Sequence, residues 1–179
     1  MKFILTGITI LATVAIFALA GVGFDTMKKS QQEFLRLHVR ANSNSQADQA
    51  AKQLIRQSVV NELTPILYDV KDKQEAMYRL RDNLGRIQTV ADSVLQKSGF
   101  TYTAHVGIKS EFFPTRSYTT ADANLTLPEG LYDALILELG EGAGDNWWCV
   151  VYPPLCFLEN NIGGKDGIHY RSKILEWLK

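Results

Sequence analysis

From Phe3 to Phe24 the chain carries no charge, and its only polar interruptions are Thr6, Thr9 and Thr13. A stretch that is apolar on every side has no polar stripe to present to water, so it does not form an ordinary surface helix of a globular core. Preceded by Met1-Lys2, it has the cationic start and apolar run of an export segment. Two outcomes are open. Ala18-Leu19-Ala20 has the small-x-small pattern of a cleavage site, and cleavage after Ala20 would release a secreted domain. Retention would leave residues 3–24 as a single membrane-crossing helix in contact with the bilayer. The run is followed by Gly21 and Gly23 and not by a basic stop-transfer cluster, which favours cleavage. In either case residues 1–24 are a signal peptide or signal anchor, 25–33 are a polar linker, and 34–179 form one domain outside the cytoplasm.

Without residues 1–20 the chain keeps 159 of its 179 residues, enough for one ordinary core. The whole chain has 19 basic and 19 acidic residues. That balance argues against nucleic-acid or polybasic lipid binding. Cys149 and Cys156 are an even pair at short spacing, which in an exported protein reads as a disulfide. Two small buried thiols are the alternative.

The pattern along the domain predicts an α+β fold. Leu35, Leu37 and Val39 alternate with Arg36, His38 and Arg40, the period of a strand with one buried face. Ser45 and Asp48 have capping-box spacing, and apolar residues from Ala47 to Val70 recur three and four apart. They predict a long amphipathic helix that Pro65 bends or interrupts. A second helix is expected over about 73–97, stopped by Ser98-Gly99. Beyond Gly99 the pattern turns to β: Phe100 to Ile108, a short piece from Phe112 to Tyr118 edged by Pro114, Tyr132 to Leu139, and Trp147 to Tyr152. A short amphipathic helix at about 170–178 follows a polar loop at 159–167. Strand, helix, helix and then strands imply a mostly antiparallel sheet with two long helices packed on one face.

Candidate sites divide by chemistry. Gly140-Glu-Gly-Ala-Gly144 lacks the Lys-Ser/Thr of a phosphate loop and precedes a strand, so it reads as an inter-strand connection that uses glycine for positive φ or close approach. Cys149 with His38, His105 or His169 would be the elements of an extracytoplasmic cysteine hydrolase. The three histidines share no motif, and His38 and His105 read as solvated strand residues. No histidine or cysteine spacing matches a zinc site, and no cofactor is expected. Trp147 and Trp148 must point to opposite faces of a strand. One belongs to the core, and two readings of the other are open: a contact for a protein partner or, in a cell-wall-binding module, a sugar ring, and a ring packed under a loop. Asn42-Ser43-Asn44-Ser45 with Asp48 and Gln49 puts more short polar groups at the strand-to-helix corner than one N-cap needs. Local capping and partner contact both remain open there.

Two blocks of residues carry a resemblance. Leu35-Arg-Leu-His-Val-Arg-Ala-Asn-Ser-Asn-Ser45 through Asp48-Gln49, and Leu127-Pro-Glu-Gly-Leu-Tyr-Asp-Ala-Leu135 through Gly140-Glu-Gly-Ala-Gly-Asp-Asn-Trp-Trp-Cys-Val-Val-Tyr-Pro-Pro-Leu-Cys-Phe157, resemble the stage II sporulation protein R family. The resemblance runs from about Leu35 to Leu158, with departures from the family pattern at Asn44, Gln57 and Ile136. It implies a non-enzymatic signal of endospore formation, exported from the forespore into the space between forespore and mother-cell membranes. Its expected partner is a membrane-embedded aspartic protease of the mother cell, which then processes a sigma-factor precursor. Contacts are expected from His38, Arg40, Asn42, Asn44, Asp48, Gln49, Trp147 and Trp148.

Overall fold

The structure is a computed structural model that describes residues 31, 33–119 and 124–157. The export segment, most of the linker, the polar loop at 159–167, His169 and the helix expected at 170–178 lie outside the described residues. Among the described residues, no helix is long and apolar enough to cross a membrane.

The domain is α+β, as the pattern predicted, with three helices and a mostly antiparallel sheet. In chain order the elements are β1 (Leu35–Arg40), α1 (Gln46–Ile66), α2 (Lys73–Asp82), α3 (Leu84–Lys97), β2 (Ala104–Phe113), β3 (Arg116–Thr119), β4 (Asn124–Leu127), β5 (Gly130–Leu139) and β6 (Asn146–Tyr152). A 3-10 turn follows at Leu155–Phe157. The main sheet has the order β2-β5-β1-β6, and β3 and β4 form a separate two-stranded ribbon. β1 runs parallel to β5, while β1 with β6 and β2 with β5 are antiparallel.

The helices begin where the sequence supplies caps. Ser45 holds an extended backbone and its side chain accepts the Asp48 N–H at 3.1 Å, satisfying a free donor of the first turn. Asp72 does the same for Glu75 at 2.8 Å. Helix α1 ends one residue past Pro65. The helix expected over 73–97 is two helices, and Asn83 divides them. Its side-chain amide donates to the Arg79 carbonyl at 2.8 Å, the acceptor that its own backbone N–H would use in a continuous helix. That N–H turns to Leu80 and Arg81 instead.

All three helices pack on one face of the sheet. Ala51, Ile55, Val59, Leu63, Leu80, Ile87, Ala91 and Leu95 meet Leu35, Leu37, Val39, Leu135, Leu137 and Leu139 in one core. The opposite face has its own smaller core, in which Phe113, Leu127, Tyr132, Ala134, Ile136, Val150 and Leu155 are buried and Tyr118 and Leu125 of the ribbon pack against them. The expectation of one buried face on β1 is therefore corrected. β1 lies between β5 and β6, and its polar face is also covered at Arg36, which Tyr118 of the ribbon meets, and at His38, a cover that alternation within β1 cannot reveal.

Cys149 and Cys156 are bonded, with Cα atoms 5.7 Å apart, and tie β6 to the 3-10 turn. Closing so short a loop is worth about 2.5 kcal/mol on the chain-entropy account. A Cys149→Ser/Cys156→Ser double variant should show that loss as a lower urea midpoint, with a slope equal to or slightly above the parent's because the unfolded chain is freer. An unchanged midpoint would mean the bond contributes nothing to stability.

Candidate interaction surface

β1 sends Arg36, His38 and Arg40 to the face away from the helices, and their surroundings grade from enclosed to open. Arg36 is fully buried. Its guanidinium carbon lies 4.2 Å from the Phe113 ring centroid, 4.9 Å from Tyr132 and 5.8 Å from Tyr118. Nη2 donates to the Tyr118 hydroxyl at 2.6 Å. Burial lowers the Arg36 pKa, against the nearby Tyr118 and Tyr132. The negative faces of the three rings substitute for the carboxylate a buried cation usually needs.

His38 comes next and is 5% exposed, not solvated as expected. Its ring centroid sits 5.4 Å from Trp148 and 5.7 Å from Phe113. Burial holds its pKa down to about 4, with Arg40 and Lys109 adding to the depression against Asn146 and Glu138. The neutral ring donates its Nδ1–H to Glu111 Oε2 at 2.9 Å. A carboxylate that close favours the imidazolium, but this one already pairs with Arg40, which weakens its pull. Arg40 bridges Glu111 on β2 and Glu138 on β5. Lys109 reaches Glu138 at 3.5 Å from a largely exposed position. His105 is exposed and pairs in register with Glu138, so β5 stands between it and His38, and the two are not neighbours.

Beyond Arg40 the strand-to-helix corner closes on itself. Asp48 is 5% exposed and accepts from Asn42 Nδ2 at 3.0 Å, Tyr102 OH at 2.6 Å and the Ser43 hydroxyl. Burial raises its pKa, but the donors of Ser43, Tyr102, Asn42 and Ser45 outweigh that and hold it at about 2. Gln49 Nε2 donates to the Ser43 carbonyl at 2.9 Å and to Asn44 Oδ1 at 3.2 Å. Lys52 Nζ bonds Gln49 Oε1 at 2.6 Å and the Asp145 carbonyl at 2.8 Å.

The same side chains hold the glycine connection. Asn42 Oδ1 accepts the Glu141 N–H at 3.0 Å, and Asn44 Oδ1 accepts the Asp145 N–H at 2.6 Å. Gly140 and Gly142 have positive φ, the use expected for them. A Cβ on Gly144 would sit 2.2 Å from the Ser43 carbonyl oxygen, so only glycine permits this approach.

The eight expected contact residues thus fall into groups. His38, Arg40 and Trp148 share the polar face of the sheet. Asn42, Asn44, Asp48 and Gln49 form the corner. Trp147 points to the helix side, where Arg56 lies 4.6 Å from its ring, and Arg116 lies 4.1 Å from Trp148 on the other side. Opposite faces were expected for the two indoles, but both are half-buried and each has an arginine over its ring. Cys149, bonded to Cys156, has no thiol to act as a nucleophile, and it pairs with Leu37 on the helix side while His38 faces away. Among the described residues no three His, Cys, Asp or Glu side chains are grouped to hold a metal.

Arg36, Glu111, Glu138, Tyr102 and Lys52 belong to this surface and were not singled out from the sequence. Arg36 shares the alternation that marked His38 and Arg40, so its signal was present. The other four enter through strand register and helix packing, which leave no local mark.

Comparison with known proteins adds an independent finding. The family model described as stage II sporulation protein R matches residues 31–162. Stage II sporulation protein R of Bacillus subtilis (strain 168) is 35% identical over 168 residues, covering 87% of this chain and 73% of that protein. No solved structure gives a significant match.

Proposed function

Because this chain belongs to the stage II sporulation protein R family, a sporulation family, we propose that it is an exported signal between the two cells of a developing endospore. In this reading it crosses the forespore membrane by means of residues 1–24. In the space between the membranes it binds a membrane-embedded aspartic protease of the mother cell. The bound protease then processes a sigma-factor precursor. The protein makes and breaks no bonds. It acts by binding the active state of its target more tightly than the inactive one, which shifts the population toward activity.

The observation that carries this reading is the family match over residues 31–162, which spans both blocks of the resemblance. Supporting it, those blocks meet in space through the bonds from Asn42 and Asn44 to the backbone of Glu141 and Asp145. Burial divides the labour among the expected contacts. His38 and Asp48 are enclosed and act by holding the surface in shape. Arg40, Asn44 and Gln49, with Lys109 and Glu138 beside them, are the groups a partner can reach.

The test is co-expression of the full chain with the candidate membrane protease and its precursor substrate, with co-purification and processing read together. The expected result is a complex, and processing that depends on this protein. Neither complex nor processing, from a folded and exported chain, would defeat the proposal.

A further inference from the structure

β2 is the outer strand of the main sheet, with β5 its single strand neighbour among the described residues. It is ten residues long, and its register with β5 is continuous from Ala104 to Phe113. Asp92 accepts the Ala104 N–H at 2.7 Å, so the edge is capped at its start, and Pro114 comes only after its end. A long edge without a bulge is a template for another strand. This one also carries Phe112, 61% exposed, beside its register partner Leu131, 64% exposed.

We propose that β2 pairs antiparallel with β2 of a second copy of this chain, centred on Ser110, to give one sheet continuous across a two-fold axis. An axis normal to the sheet keeps each face on its own side, so only residues of equal parity can oppose each other. That leaves few registers to compare. Centring on Lys109 or Glu111 opposes that charge to itself, which is unfavourable. Centring on Ile108 leaves Phe112 against Ala104 and Lys109 against Gly107.

Centring on Ser110 satisfies both faces. On the helix side Phe112 meets the partner's Ile108, twice by symmetry, which covers the exposed ring. On the other side Lys109 meets the partner's Glu111, whose side chain is 20% exposed and whose carboxylate accepts this further donor beside its own Arg40 and His38. Lys109 is free to do so, because its side chain is 54% exposed and its contact with Glu138 is long, at 3.5 Å. Ser110 opposes its own copy at the axis, where a small side chain fits.

The experiment uses the purified full chain in detergent. A Ser110→Cys variant should cross-link to a dimer under copper–phenanthroline, because opposed strand residues lie about 4.5–5.5 Å apart. A Val106→Cys variant, far from the axis, should not. By sedimentation equilibrium, Lys109→Glu should weaken the dimer about tenfold or more, since it opposes two carboxylates at two symmetric places. Circular dichroism confirms that each variant is folded. A chain that stays monomeric at about 0.1 mM would overturn the proposal, that being a weak affinity even for a transient contact. So would a dimer indifferent to Lys109→Glu, which would mean that the copies associate elsewhere, for instance through residues 3–24.

Discussion

Asp48→Ala is expected to destabilise the domain by about 3 kcal/mol, because it removes one buried carboxylate and leaves three half-buried donors unmatched. Asn42 Nδ2, the Ser43 hydroxyl and Tyr102 OH all donate to Asp48. The carboxylate also sits in the first turn of α1, where negative charge is favourable. Thermal unfolding should shift down by about 10 °C for a loss of this size. Asp48→Asn keeps an acceptor but loses the charge, so roughly half the effect should remain. The damage should also spread to a definite place. Asn42, released from Asp48, no longer holds its amide oxygen against the Glu141 N–H, so the Gly140–Asp145 connection should become the first site of protease cleavage. A variant as stable and as resistant as the parent would mean that the corner does not depend on this carboxylate.

The second large effect is on pH dependence, and it comes from His38. Its pKa in the folded protein, about 4, lies below the 6.5 of an unperturbed imidazole. Between these values the unfolded chain binds the proton and the folded chain does not, so acid favours unfolding. The contribution is fully present above pH 6.5 and is lost as pH falls toward 4. Its size is about 3 kcal/mol for a separation of this width. Asp48 acts in a separate window, since its pKa is lowered from 3.8 to about 2 and its contribution is lost only below pH 3.8. Urea midpoints at pH 7, 5.5, 4 and 2.5 separate the two. His38→Asn, whose side-chain amide can still donate to Glu111, should flatten the curve between pH 6.5 and 4 while leaving the lower window unchanged. Equal slopes for variant and parent would show that His38 does not titrate there. A parent that gained stability on acidification would show that the Glu111 carboxylate prevails over burial.

These two residues also mark where the sequence was and was not legible. Ser45 with Asp48 read as a helix start, and they form one. What Asp48 adds beyond the cap depends on Tyr102, which enters from the far end of α3. His38 read as a solvated strand residue because the strand alternates, and alternation describes one strand in isolation. What encloses it is Phe113 and Glu111 of β2 and Trp148 of β6, which reach it only through strand register and leave no mark within β1.

The sequence by itself determined the α+β class, the extents of β1, β5 and β6 to within a few residues, the capped start of α1, the opposite faces of Trp147 and Trp148, and the use of glycine between β5 and β6. All of these follow from local periodicity, capping chemistry or backbone preference, which act over a few residues, whereas the bond between Cys149 and Cys156 was decided by the approach of β6 and the 3-10 turn. The division of the second helix at Asn83 also had a local cause, though the apolar period running through Asn83 concealed it. Only the tertiary structure decided which polar groups are enclosed. Arg36 among its aromatic rings, His38 against Glu111, and the corner bonded to Glu141 and Asp145 all join residues that lie far apart in the chain. Strand order and helix packing bring them together, so that burial acts on Arg36 and His38, and hydrogen-bond donors on Asp48, through neighbours that local sequence does not name.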